Sequence, residues 1–274
     1  MTEYATEAGI ARVTPDVAVE VATVVANAAR AAISARGNFV IAIAGGSLVK
    51  MLGAMATLPG IEWQKWTVLW VDERCVPHTD SESNYGGAAK AWLSKVDIPA
   101  EQILAIDQAA MEGAGYDNEP AVAEAAAIAY ETRLHALDHS VLPRNEAGLP
   151  IIDLALLGFG PDGHICSLFP DHPLLTDPSN RWVLPISDSP KPPPARITLS
   201  LPVVNAATNV VLVGTGAAKQ EPVFRTFSER TCSLPCALAR PSAGLPLWIL
   251  DPDAAGTLPE AISKRTADPQ CQLV

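Results

Sequence analysis

Asp162 and His164 stand two residues apart where an aliphatic run, residues 151–157, breaks into Gly158, Gly160 and Gly163. An imidazole can take or give a proton near neutral pH, and a neighbouring carboxylate can choose its tautomer and orientation. Glycines at such a point let the backbone turn sharply and come close to a ligand. The unbroken aliphatic run predicts a strand covered on both faces, as in a parallel sheet, and in open parallel sheets ligands bind just beyond the carboxyl ends of the strands. Asp162 and His164 are therefore the candidate catalytic pair. The plainer alternative is a loop histidine held only by its hydrogen bonds.

The same glycines spell G-x-G-x-x-G, the dinucleotide fingerprint. That motif works only if its last glycine opens a helix whose N-terminus holds pyrophosphate. Pro170 and Pro173 follow within ten residues, with Asp171 and His172 between them, so a long helix is disfavoured and dinucleotide binding is rejected.

Other polar groups also follow apolar runs. Gly45, Gly46 and Ser47 end a strand over residues 39–44 and open a helix expected to reach about Thr57. Backbone N–H groups and a hydroxyl at such a terminus suit a phosphate, although an ordinary β-to-α turn has the same appearance. Asp72, Glu73 and Arg74 follow a strand over residues 66–71. Arg74 offers a planar fork for phosphate or carboxylate, and the two acids could hold it in place or simply close the loop with it. Lys219 lies just after a strand over residues 209–213 and the turn Gly214-Thr215-Gly216. With no G-x-S-x-G elbow in the chain, attack by water is preferred to an acyl-enzyme.

The elements that must position these groups alternate between helix and strand. Thr14-Pro15-Asp16 reads as a helix start with Thr14 as the cap and Pro15 in the first turn, and the helix should end near Gly37. Further helices are expected over residues 84–93 and 119–137, and a last strand over 245–250. His135 and His139 are read as cations at a helix C-terminus rather than metal ligands. Ser189-Pro190-Lys191-Pro192-Pro193-Pro194 reads as a stiff extended connector leading to Arg196. The pattern predicts an α/β fold, an open, mostly parallel, doubly wound sheet with helices on both faces, Rossmann-like but without dinucleotide binding. Strands 39–44, 66–71, 151–157 and 209–213 should be neighbours, in a single domain spanning residues 1–274.

Composition narrows the partners. Nineteen Lys and Arg against 30 Asp and Glu leave a net charge of −11, which argues against a nucleic-acid surface and requires that any positive charge for an anionic ligand be local. No uninterrupted apolar run of membrane-spanning length occurs, and Met1-Thr2-Glu3-Tyr4 is unlike a secretory signal, so the expectation is a cytoplasmic protein without membrane contact. Five cysteines without metal-finger spacing read as reduced thiols, with no metal site. A monomer is expected.

Taken together the motifs resemble the glucosamine-6-phosphate isomerase and 6-phosphogluconolactonase superfamily, and within it the eukaryotic-type lactonases. The resemblance rests on Ala44-Gly45-Gly46-Ser47, Asp72-Glu73-Arg74-Cys75-Val76-Pro77 with Ser83-Asn84-Tyr85, residues 158–170, Arg196-Ile197-Thr198-Leu199 with Asn205-Ala206, and Gly214-Thr215-Gly216 with Lys219. It implies hydrolysis of a small sugar-phosphate lactone, 6-phospho-D-glucono-1,5-lactone, without a cofactor. By the same resemblance His164 is the general base and Asp162 braces it or its loop. Arg74 and Lys219 anchor phosphate or substrate beside Gly45, Gly46 and Ser47. Arg196 contacts substrate, and Asp72 or Glu73 supports Arg74. Two alternatives accompany this reading. Deaminase- or isomerase-type members share the Asp-Gly-His turn but follow it with an acidic segment and carry Tyr where Arg74 stands. A non-catalytic sugar-phosphate sensor would carry a basic helix-turn-helix, for which the first residues offer no candidate.

Overall fold

The computed structural model describes residues 1–229 and 231–267. The chain opens with a hairpin, β1 (Thr2–Thr6) and β2 (Gly9–Val13), and a long helix, α1 (Val17–Arg36), followed by β3 (Phe39–Ile43), α2 (Ser47–Leu52), β4 (Trp66–Trp70) and β5 (Asp72–Arg74). Helices α3 (Asn84–Ala91), α4 (Gln108–Ala114) and α5 (Glu119–Ala136) lead to β6 (Leu154–Gly158), β7 (Val183–Ile186) and β8 (Arg196–Leu199). The rest is α6 (Leu201–Asn205), β9 (Asn209–Gly214), α7 (Gln220–Ser228), α8 (Pro235–Leu238), β10 (Leu247–Leu250) and α9 (Leu258–Ala267).

Seven strands form one sheet in the order β1-β2-β10-β9-β6-β3-β4, parallel throughout except for the β1–β2 hairpin at its edge. All five residues of β3 are fully buried, as are nearly all of β4 and β6, which is why these segments read as aliphatic runs rather than alternating ones. The four strands expected to be neighbours are neighbours. The units β3-α2-β4 and β9-α7-β10 advance across the sheet in opposite directions, so right-handed crossovers put α2 and α7 on opposite faces; α1 packs with α2, and α7 with α9. The chain reverses its direction of travel between β3 and β6. That switch point opens a crevice beyond the carboxyl ends of these two strands, where Gly45–Ser47 and Asp162–His164 lie.

Three local expectations are corrected. Asp72, Glu73 and Arg74 do not form a loop: they are β5, the edge of a second, antiparallel sheet β5-β8-β7 in which Arg74 is registered opposite Arg196. Helix α1 starts at Val17 with Asp16 as the cap residue, and the Thr14 hydroxyl accepts instead from the Asp16 N–H at 3.2 Å, because the chain is still extended at Thr14, where its N–H donates to the Leu250 carbonyl. The proline-rich stretch is not an extended crossing. It closes on itself, Ser189 N–H to the Pro194 carbonyl at 3.3 Å and Ser189 Oγ to the Lys191 carbonyl at 2.9 Å. Helix α1 is long and apolar enough to cross a bilayer by length and composition, yet its Val17, Val21, Val25 and Ala29 stripe is buried in the core.

Candidate active site

The turn after β6 is built to hold an imidazole against a carboxylate. Gly160 N–H donates to the His164 carbonyl at 2.8 Å and Gly163 N–H to the Gly160 carbonyl at 3.0 Å, which folds the segment into a tight loop. Gly163 has φ +84°, a left-handed conformation that glycine adopts at little cost. A Cβ on Gly160 would come within 2.1 Å of His164 Nδ1 and 2.2 Å of Asp162 Oδ1, so both side chains pack over a position where only hydrogen fits. No helix follows Gly163 before the single 3-10 turn at Pro173–Thr176, so the glycines serve this loop and not a pyrophosphate cradle.

His164 Nδ1 lies 2.6 Å from Asp162 Oδ1. An ionised carboxylate can only accept, so Nδ1 carries the proton and Nε2 presents its lone pair. The Phe169 ring packs beside the imidazole at 4.7 Å between centroids. Burial pushes the His164 pKa below the ordinary imidazole range, against the hydrogen bond and charge of Asp162 and with help from Lys191, while Asp72 opposes. For Asp162, burial works upward, but the His164 hydrogen bond and the charges of His164 and Lys191 outweigh it and leave the carboxyl below its ordinary value.

Two cations flank this turn, and one of them reaches the pair. Lys219 donates to the Phe159 carbonyl and sits 5.5 Å over the Phe159 ring, its pKa lowered by burial and then by Lys191. Lys191 Nζ, from the proline loop, stands 3.2 Å from His164 Nδ1 and 3.6 Å from Asp162 Oδ1. Sequence reasoning missed Lys191 because it treated the prolines as a connector; the available signal was a lone cation between Trp182 and Ala195, set in a rigid segment just before Arg196.

Beside this cluster, beyond β3, a hollow of about 480 Å³ is lined by Gly46, Ser47, Lys50, Arg74, Glu82 and Asn84. Arg74 donates to the Glu82 carbonyl at 2.8 Å and pairs with its carboxylate at 3.1 Å, while its buried Nε has no protein partner. Gly45 packs so closely on Asn84 that a Cβ would meet its Oδ1 at 1.8 Å, and Asn84 Nδ2 in turn donates to the Asp72 carbonyl at 2.9 Å. A cavity of about 630 Å³ elsewhere lies against α1 and the starts of β6, β9 and β10, far from these groups, and its Arg12 and Arg36 are already paired with Glu20 and Asp153.

Three expected ligand contacts are revised. Glu73 is 1% exposed, and its carboxylate accepts from the N–H groups of Arg74, Asn84 and Tyr85 at 2.7, 2.8 and 2.7 Å, so it caps α3 and does not touch the Arg74 guanidinium. Asp72, also buried, accepts from Ser167 Oγ at 2.8 Å and so ties β5 to the segment that follows His164. Arg196 directs Nε to the Pro193 carbonyl at 2.9 Å and Nη2 to those of Lys191 and Pro192 at 2.7 and 3.0 Å. Burial makes it the clamp of the proline loop. Among the described residues no group of three or more His, Cys, Asp or Glu is gathered for a metal ion.

A doubly wound α/β sheet with a histidine–carboxylate pair and local cations at its switch point defines a small-molecule enzyme for an anionic substrate. Comparison with known proteins carries this further. Residues 13–248 match the family model described as glucosamine-6-phosphate isomerases/6-phosphogluconolactonase. A probable chloroplastic 6-phosphogluconolactonase 3 from Oryza sativa subsp. indica is 43% identical over 235 residues, 83% of this chain and 68% of the relative. The 6-phosphogluconolactonase of Rattus norvegicus is 40% identical over 236 residues, 84% of this chain and 85% of the relative. Among solved structures, the 6-phosphogluconolactonase from Trypanosoma brucei superposes with a TM-score of 0.78 at 28% identity, covering 90% of this chain and 98% of that one. The chain belongs to the glucosamine-6-phosphate isomerase/6-phosphogluconolactonase family.

Proposed function

We infer that this chain hydrolyses 6-phospho-D-glucono-1,5-lactone to 6-phosphogluconate, the second step of the oxidative pentose phosphate pathway, with His164 as general base and no cofactor. The observation that carries the mechanism is the grip of Asp162 on Nδ1 at 2.6 Å, which leaves Nε2 free to accept a proton. Water gives its proton to Nε2 as its oxygen bonds to C1 of the lactone. The tetrahedral intermediate then collapses, the C1–O5 bond breaks, and the proton returns to O5 as the C5 hydroxyl forms. The acid so produced ionises, releasing one proton per turnover. Arg74 and Lys219 supply the positive charge for the phosphorylated substrate, with the Gly45-Gly46-Ser47 turn beside Arg74.

The whole chain acts as one catalytic domain, since the core runs continuously from Ala8 to Ala261. We read it as a monomer that engages neither nucleic acid nor membrane, in keeping with its net charge of −11 and the burial of the apolar stripe of α1. Cys75, Cys166, Cys232 and Cys236 are free and buried, which suits the reducing cytosol we propose as its compartment; Cys271 lies outside the described residues.

The test is proton release on adding freshly generated lactone, measured against spontaneous opening, with glucosamine-6-phosphate assayed in parallel for ammonia. The parent should accelerate lactone opening and release no ammonia. His164→Asn should bind 6-phosphogluconate but lose turnover on the order of 10²–10⁴-fold. A folded His164→Asn protein working at the parental rate would sink the base assignment.

A further inference from the structure

We propose that Lys191 is a positioning residue for His164: its ammonium, delivered to the Nδ1 edge by a proline loop clamped on Arg196, offsets the charge of Asp162 and keeps the imidazole in its neutral, proton-accepting form. The proposal rests on His164 being the base.

The geometry supplies both halves of this arrangement. On the delivery side, Arg196 is 3% exposed in β8 and gives three hydrogen bonds to consecutive backbone carbonyls, those of Lys191, Pro192 and Pro193, at 2.7, 3.0 and 2.9 Å. A permanently charged guanidinium is costly to bury, and here its rigid fork is used to hold a loop that has few N–H groups of its own with which to make a ladder. Ser189 closes the same loop from the other side through its hydroxyl. The Lys191 backbone is therefore anchored while its side chain extends to the catalytic pair.

On the receiving side, Lys191 Nζ is 3.2 Å from His164 Nδ1 and 3.6 Å from Asp162 Oδ1. Nδ1 already donates to Asp162, so the ammonium has no lone pair to bind there; it sits as a charge beside the ring and as a partner of the carboxylate. The two charges have opposite effects on the imidazole. Asp162 sets the tautomer that a base requires but also favours the imidazolium, which cannot accept water's proton. A cation at the same edge cancels part of that field without disturbing the hydrogen bond. The other charged group acting on the ring is Asp72 of β5, which favours the protonated form, while the Phe169 ring is uncharged. Lys219 interacts with Lys191 and with Asp162, on the carboxylate side of the pair. Lys191 is thus the positive charge that balances Asp162 and Asp72 at His164.

The experiment compares the parent, Lys191→Met and Lys191→Arg by two readouts: kcat/KM against pH, and NMR titration of the His164 ring, whose signal is assigned by its loss in His164→Asn among only five histidines. Removing the charge while keeping a similar stem should move the His164 midpoint to higher pH, and the acid limb of kcat/KM should move with it. Lys191→Arg should return both towards the parent. A ring that titrates at the parental midpoint in Lys191→Met, or that shifts equally in the Arg variant, would overturn the proposal, because a merely structural lysine alters rate or stability without moving the midpoint by charge. Failure of the underlying reading has a different signature: the NMR midpoint moves while the kinetic limb does not, or His164→Asn retains turnover.

Discussion

Burial holds the pKa of His164, the proposed base, below the ordinary imidazole range. The proton acceptor is the neutral ring, so kcat/KM should fall as pH drops through that lowered pKa, and activity should persist to a more acidic pH than an exposed histidine would allow. The proposed anchoring cations make a separate prediction. Arg74→Ala and Lys219→Ala should each weaken binding of 6-phosphogluconate roughly ten- to hundredfold, the effect of losing a charge-assisted hydrogen bond of about 1.5–3 kcal/mol. Isothermal titration reads this directly, and two variants that bind as tightly as the parent would move the phosphate site elsewhere.

At the scale of elements, Glu73 joins β5 to α3. Its carboxylate collects the first N–H groups of that helix together with the Ser83 hydroxyl, so the segment carrying Glu82 and Asn84 is held against Arg74. Desolvation pushes the Glu73 pKa up from 4.5 to about 7, against three backbone hydrogen bonds that favour the ionised form. A folded-state pKa raised above the unfolded one contributes stability that is fully present below the unfolded value and is lost as pH rises through the folded one. Glu73→Gln does not titrate. The margin in thermal midpoint of the parent over Glu73→Gln should therefore be widest near pH 5 and narrow towards pH 8. A margin that widened over that range would reverse the assignment of Glu73 as a strained, desolvated cap.

At the scale of the molecule, the switch between β3 and β6 is what gathers residues more than a hundred positions apart. Among the described residues, the large apolar side chains that remain exposed, Met1, Val19, Leu58, Ile128 and Leu245, lie on separate segments, as expected for a chain that buries its apolar surface alone. Sedimentation equilibrium should return the chain mass of 28.8 kDa, and a value near twice that would overturn the monomer reading.

The sequence by itself determined the strand cores, the candidate pair and the family. Parallel strands buried on both faces are written as aliphatic runs, and the glycine, proline and charge punctuation after each run marks where a sheet presents its loops. Periodicity located β3, β4, β6 and β9 to within a few residues, and the two prolines after Gly163 were enough to set aside a dinucleotide helix. What it left open depended on which partners each polar group takes in the folded chain. Nothing local tells that Glu73 would cap α3, that Arg196 would turn from the site towards backbone carbonyls, or that a proline-rich stretch would close into a loop bringing Lys191 to His164. Each of those outcomes follows from how a polar or charged group finds its partners: Arg196 takes carbonyls close by in the chain, whereas Glu73 reaches α3 and Lys191 reaches His164 only in the folded molecule.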